Sequence, residues 1–302
     1  MKNICIIGGG HGTSRLIKGF KDIDAKIDII VASSDNGGHT GEIIKEFNVP
    51  ALGDLRMVLE SLLDEPLLNF FSYRFKNLHG KNKVSLGNLM LLSMVLENNS
   101  NIEKTLEQIN ERIDEKYTLH LANHEYTELK AITQDGCILS GEVTIGESNN
   151  IKDIYFDNEG IIPSKVINAI KQADVIVLSF GSFYTSIGSV ISHKELQTTI
   201  KESEAEIVYV ANLVNQEETK GYYLENYVDF LESKIGRKLD KIILSNSKIK
   251  RKIQKRYKEE GKSLVHPKEN RKNYSWYPLV VLEDSKLRHD YFKVAQIINN
   301  GL

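Results

Sequence analysis

Ile4-Cys5-Ile6-Ile7-Gly8-Gly9-Gly10-His11-Gly12-Thr13 is a short apolar run that breaks into glycines. The pattern returns three times. Asp28-Ile29-Ile30-Val31 leads to Ser33-Ser34-Asp35-Asn36-Gly37-Gly38-His39-Thr40-Gly41. Val175-Ile176-Val177-Leu178 leads to Ser179-Phe180-Gly181-Ser182-Phe183-Tyr184-Thr185-Ser186. Ile207-Val208-Tyr209-Val210 leads to Ala211-Asn212-Leu213-Val214-Asn215-Gln216. Short apolar runs bounded by such loops read as buried strands. In an open parallel sheet the strand ends at one edge form the ligand crevice. Bare N–H groups and hydroxyls there suit a phosphate. The four loops predict an α/β, Rossmann-like, doubly wound and mostly parallel sheet with a nucleotide or sugar-phosphate site.

The rest of the chain extends that frame. Strands are expected over residues 3–7 and 27–32, with a helix from Ser14 to Phe20 between them. Apolar residues three and four apart predict helices from Asp54 to Leu63, Leu89 to Leu96 and Ile102 to Ile113. From about residue 117 to 157 apolar and polar residues alternate, as in Thr118-Leu119-His120-Leu121 and Glu142-Val143-Thr144-Ile145. This predicts a small antiparallel β insertion. Strands over 174–179, 206–211 and 240–245 follow, with helices near 193–202 and 224–235. Few prolines and no long linker favour a single domain over 1–302.

With 41% hydrophobic residues in 302, a sizeable core is available. The net charge of −2 gives no general attraction to nucleic acid or membrane. Cys5 and Cys137 are far apart and unpaired in any CxxC pattern, which fits a reducing cytosol. No signal-peptide core or membrane-length apolar run is read, so a cytoplasmic protein without membrane insertion is expected.

Each candidate site has a bland alternative. Gly9, Gly10, His11, Gly12 and Thr13 either cradle a phosphate or make a tight strand-to-helix turn. The third fingerprint glycine is replaced by Thr13, and the Lys-Ser/Thr ending of the NTPase phosphate loop is missing. Asp35 stands where a ribose-binding acid is usual, but Asn36, Gly37 and Gly38 follow it as a second glycine loop. Asp54 is either an N-cap or, with Asp35, a Mg²⁺ ligand near one phosphate. Asn88 stands in another turn, Ser85-Leu86-Gly87-Asn88, that opens a helix. Gly181, Ser182, Tyr184, Thr185 and Ser186 suit phosphate or sugar, without a G-x-S-x-G nucleophile. Asn212 and Gln216 read a base or sugar edge, or only pin a loop. His11, His39 and His79 lie in or near glycine-rich loops, where a shared metal is a minor alternative. Lys248 to Lys262 holds eight basic residues and reads as a solvated helix face. Tyr257 and Arg288 offer a ring for a base and a fork for a phosphate.

In order, these motifs resemble the gluconeogenesis factor family (YvcK-like), related to the 2-phospho-L-lactate transferases (CofD-like). The matching stretches include Gly8 to Gly12, Asp35 to Gly41, Gly53-Asp54-Leu55-Arg56, Ser85 to Leu89, Gly181 to Ser186, Asn212-Leu213 with Gln216, Arg256 to Gly261 and Arg288-His289-Asp290. The resemblance implies a cytoplasmic, nucleotide-sugar-binding regulatory protein needed for cell shape and wall synthesis under gluconeogenic growth. It implies a UDP-N-acetylglucosamine-like ligand at Tyr257 and Arg288, and cell-wall synthesis proteins as partners. It also implies metal at Asp35 and Asp54 in transferase relatives. The chain departs from the family pattern at His11 (usually Thr), Asn36 (usually Asp) and Phe180 (usually Pro). Losing an acid at position 36 shifts the expectation from catalysis toward binding. The alternative is a metal-dependent transferase of phosphorus-containing groups, with Mg²⁺ neutralising phosphate charge. A third reading, a dinucleotide (NAD) oxidoreductase, lacks a clear catalytic acid. Self-association into a homo-oligomer is left open.

Overall fold

The computed structural model describes residues 1–76 and 83–300. Seven strands form one sheet: β1 (Lys2–Gly8), β2 (Ala25–Val31), β3 (Tyr117–Leu121), β4 (Val175–Leu178), β5 (Glu206–Val210), β6 (Lys241–Ser245) and β7 (Tyr274–Tyr277). Their order is β7-β6-β5-β4-β1-β2-β3, and every pairing is parallel. This is the doubly wound Rossmann order with one strand added. The order reverses between β1 and β4, where Ile6 stands opposite Val177.

Both faces of the sheet are covered, which is why its strands read as continuous apolar runs. Ile4 and Ile6 pack on one face with Leu16, Ile17 and Phe20. Cys5 and Ile7 pack on the other with Ile176, Leu178 and Phe183. Those clusters hold the strand ends rigid, so the loops after them are presented from a fixed edge.

Three local expectations change. Tyr117–Leu121 is not part of the insertion; it pairs parallel with β2, with Leu119 opposite Ile29. Its alternation misleads because His120 is buried too, with Nε2 2.7 Å from Asp28 Oδ1. The inserted sheet is therefore shorter than 117–157. Leu129–Thr133 pairs antiparallel with Ile138–Ser140 and Ile151–Phe156. Glu142-Val143-Thr144-Ile145 is not a strand but the helix Glu142–Gly146. Gly141, at φ +83°, ends the strand and turns the chain into it. Finally, both glycine loops are largely helix. Gly10–Lys18 begins four residues before Ser14, with Gly10 at φ +60°, and Gly38–Phe47 begins inside the second loop.

Candidate functional site

A crevice of about 680 Å³ lies along the carboxyl edge of the sheet at the β1–β4 switch point. It is lined by the first turn of helix Gly10–Lys18, the loops after β2, β4 and β5, and the segment carrying Tyr257 and Arg288. Helix Gly10–Lys18 has no side-chain cap and no acid in its first turn. Apart from the Gly10 N–H, which is bonded to Asp54, its first-turn N–H groups and positive dipole end are therefore available to an anion.

One wall is acidic. Asp35 Oδ1 accepts from the Gly37 N–H at 2.9 Å. Asp54 stands in the first turn of helix Gly53–Glu60, where the N-cap position is Leu52. Its carboxylate instead accepts a hydrogen bond from the Gly10 N–H. Glu142, from the inserted helix, completes this wall, with Ser34 Oγ donating to its Oε1 at 2.6 Å. All three carboxyls are pushed up, first by burial. Repulsion from Asp35 adds to this at Asp54, which rises to about 7. Asp35 and Asp54 together add to it at Glu142.

The same crevice also carries basic residues. Arg15, Arg256, Lys262, Lys286 and Arg288 line it, interrupted by Glu260 and Asp284. Arg15 is paired with Glu283. The Nε of Arg288 is buried without a hydrogen-bond partner, whereas the Nε of Arg256 lies 3.7 Å from Glu260 Oε1. His11 faces the same space, and its imidazole is lowered by desolvation and by Arg15, Arg56 and Arg288. Tyr257 lies beneath, its hydroxyl accepting from the Leu287 N–H at 2.9 Å.

The structure brings Gly9, Gly10, His11, Gly12, Asp35, Asp54, Gly181, Ser182, Thr185, Ser186, Asn212, Gln216, Tyr257 and Arg288 to this crevice. It places the others elsewhere. Thr13 Oγ1 bonds Ser179 Oγ at 2.6 Å, tying helix Gly10–Lys18 to the residue that follows β4. The Asn36 side chain turns to the inserted helix, where its Oδ1 accepts from the Val143 N–H at 3.2 Å. Gly37 and Gly38 form the cap and start of helix Gly38–Phe47. Asn88 is buried, its Nδ2 donating to Thr40 Oγ1 at 3.4 Å. Tyr184 points into the core, with its hydroxyl 2.8 Å from that of Tyr222.

Some lining groups are already engaged. Asn212 donates to Gly181 O at 2.7 Å and accepts from Tyr209 Oη at 3.2 Å, so it pins two loops. Ser182 Oγ donates to Glu218 Oε1 at 2.8 Å. Gln216 opens the turn Glu217–Thr219, its backbone N–H donating to Thr219 Oγ1 at 3.0 Å. His39 Nδ1 accepts from the Ser85 N–H at 3.4 Å, and His79 lies outside the described residues. Sequence reasoning missed Arg15, Glu142, Arg256, Lys262, Lys286 and His289. Arg256 and His289 stood inside the matching stretches Arg256 to Gly261 and Arg288-His289-Asp290, and Arg15 stands one helical turn after His11. His120 and His124 are also four apart, but they stand at the end of β3, away from the crevice.

Among the described residues no three His, Cys, Asp or Glu side chains gather to hold a metal by themselves. Asp35 and Asp54 nevertheless fit a divalent cation in one respect. Each is raised by burial, and Asp35 adds to the rise at Asp54; a cation between them would offset that cost. Mg²⁺ commonly takes one or two carboxylates and completes its shell with phosphate oxygens and water.

The family model for 2-phospho-L-lactate transferase CofD matches residues 4–280. A putative gluconeogenesis factor of Thermotoga maritima is 32% identical, covering 98% of both chains. The gluconeogenesis factor of Bacillus subtilis is 30% identical over 98% of this chain and 96% of its own. An X-ray structure of a Bacillus halodurans protein superposes with a TM-score of 0.92 at 28% identity, covering 98% of this chain and 99% of that one.

Proposed function

This chain belongs to the 2-phospho-L-lactate transferase CofD family, and on that premise we propose that it binds a nucleotide-activated sugar in the crevice. The observation that carries this reading is the crevice's two signs. Asp35, Asp54 and Glu142 line it together with five Arg and Lys side chains, of which Arg15 pairs with Glu283, and Arg256 and Lys262 with Glu260. A diphosphate suits this mixed lining. Guanidinium and helix N–H groups meet its oxygens directly, and a divalent cation at Asp35 and Asp54 would bridge it to the acidic wall. The buried Nε of Arg288 supports the same reading, because a donor without an acceptor is costly.

The protein acts in this reading as a cytoplasmic regulator. Ligand occupancy reports sugar-nucleotide supply to wall-synthesis proteins, and the name gluconeogenesis factor on its relatives links that role to gluconeogenesis. Self-association belongs to the same proposal. The second reading is a metal-dependent transferase, favoured by the two carboxylates beside the phosphate-suited loop. There the cation, when bound, would neutralise phosphate charge. The chain's own part would be to orient the donor on Gly10–Gly12 and Arg288, with Asp35 and Asp54 holding the cation.

Calorimetric titration separates the readings. UDP-N-acetylglucosamine, NAD and GDP are titrated with and without Mg²⁺. Binding of the UDP-sugar that weakens in Arg288→Ala supports the regulator; no binding at millimolar ligand rejects it. Turnover that survives Asp54→Asn would reject the transferase assignment.

A further inference from the structure

Phe180 and His289 meet beside the crevice. Their rings stack with centroids 4.0 Å apart and planes inclined by 27°. Phe180 follows β4 and belongs to the sheet edge. His289 ends the hairpin of Val280–Glu283 and Lys286–His289, which stands outside the seven-stranded sheet. The hairpin thus reaches the frame partly through this ring pair.

Both rings are held from behind. A β-carbon on Gly12 would fall 1.7 Å from Phe180 O, so the backbone at Phe180 lies directly on helix Gly10–Lys18. His289 Nε2 lies 3.1 Å from Ala211 O, at the end of β5. Donation to that carbonyl places the proton on Nε2. Burial pushes His289 down to about 4, so the ring is neutral and adds no charge beside the neighbouring guanidinium. That guanidinium belongs to Arg288, the next residue back in the same strand, whose Nε is buried with no partner. A cation so placed depends on its backbone for position, since no hydrogen bond of its own fixes that nitrogen.

We propose that Phe180 and His289 form a clamp that positions Arg288 for the anionic end of the ligand. They are positioning residues, acting through Arg288. The ligand half of this inference rests on the function proposed above.

The first test needs no ligand. The Arg288 Nε–H resonance is assigned by its loss in Arg288→Lys, and its exchange with water is measured by ¹⁵N NMR. Phe180→Leu keeps apolar bulk without the ring, and His289→Gln keeps a donor for Ala211 O. Both are expected to speed this exchange by about tenfold while sheet amides stay protected. Unchanged exchange overturns the clamp. Uniform loss of protection across the sheet also overturns it, because the pair would then be a core element with no particular hold on Arg288.

The second test is a double-mutant cycle with UDP-N-acetylglucosamine. Phe180→Leu is expected to weaken binding by about tenfold alone and by little in the Arg288→Ala background. Independent, additive losses overturn the clamp. Failure of the unsubstituted protein to bind the UDP-sugar rejects the proposed function, and the NMR measurement still decides the clamp.

Discussion

Gly9 lies directly against Asp54: a β-carbon on Gly9 would sit 2.0 Å from Asp54 Oδ2. The glycine loop after β1 therefore does more than leave room for a ligand. It leaves room for the carboxylate that reaches it from the helix Gly53–Glu60. Gly9→Ala is expected to displace Asp54 and abolish stabilisation by Mg²⁺, while the chain still folds. Thermal melts with and without Mg²⁺ check this; an unaltered Mg²⁺ response would refute it.

Gly12→Ala has a harder obstacle. Its β-carbon would meet a backbone oxygen, Phe180 O, at 1.7 Å. Helix Gly10–Lys18 and the loop after β4 must then part. The expected loss is on the order of 2–4 kcal/mol in urea unfolding, in the upper range for overpacked interiors.

Asp54 gives stability a defined pH dependence. Its folded pKa of about 7 lies above the ordinary 3.8, so between these values the folded state holds more proton. The stability this group contributes is present at acid pH and is lost as pH rises from about 4 through about 7. Asp54→Asn removes that loss. It is expected to be more favourable, relative to the unsubstituted protein, at about pH 8 than at about pH 4 by on the order of 2–4 kcal/mol. Denaturant titrations at the two pH values measure the difference. Equal effects of the substitution at both would refute the assignment.

Arg288→Ala is expected to weaken UDP-sugar binding by about tenfold or more, the cost of leaving a phosphate without its charged donor. The salt dependence of binding should flatten in the same variant. Calorimetry at two ionic strengths reads both effects.

Tyr257→Phe keeps the ring but removes the acceptor for the Leu287 N–H. A buried N–H without an acceptor costs about 1–3 kcal/mol. The expected outcome is faster hydrogen exchange at Leu287 and Arg288, with the sheet amides unaffected.

The apolar runs at Ile4–Ile7 and Val175–Leu178 could be read from the chain because a strand buried on both faces needs no partner to declare itself. The run Tyr117–Leu121 could not, because its polar His120 is buried by pairing with Asp28, and that pairing is visible only once β2 and β3 are adjacent. Glu142 stayed hidden for a similar reason. Its neighbours alternate like a strand, and only Gly141 at φ +83° turns them into a helix aimed at the crevice.

What the amino-acid order by itself determined is the α/β frame and the edge at which ligands gather. Apolar runs followed by glycines are local signals, and strand ends share an edge whenever the strands are parallel. What only the tertiary structure decided is the character of that edge. Asp35, Asp54 and Glu142 are far apart in the chain, as are Phe180 and His289. The raised carboxyl pKa values, the basic lining and the stacked rings arise from proximity and burial across these separations, and neither is written in any short stretch of sequence.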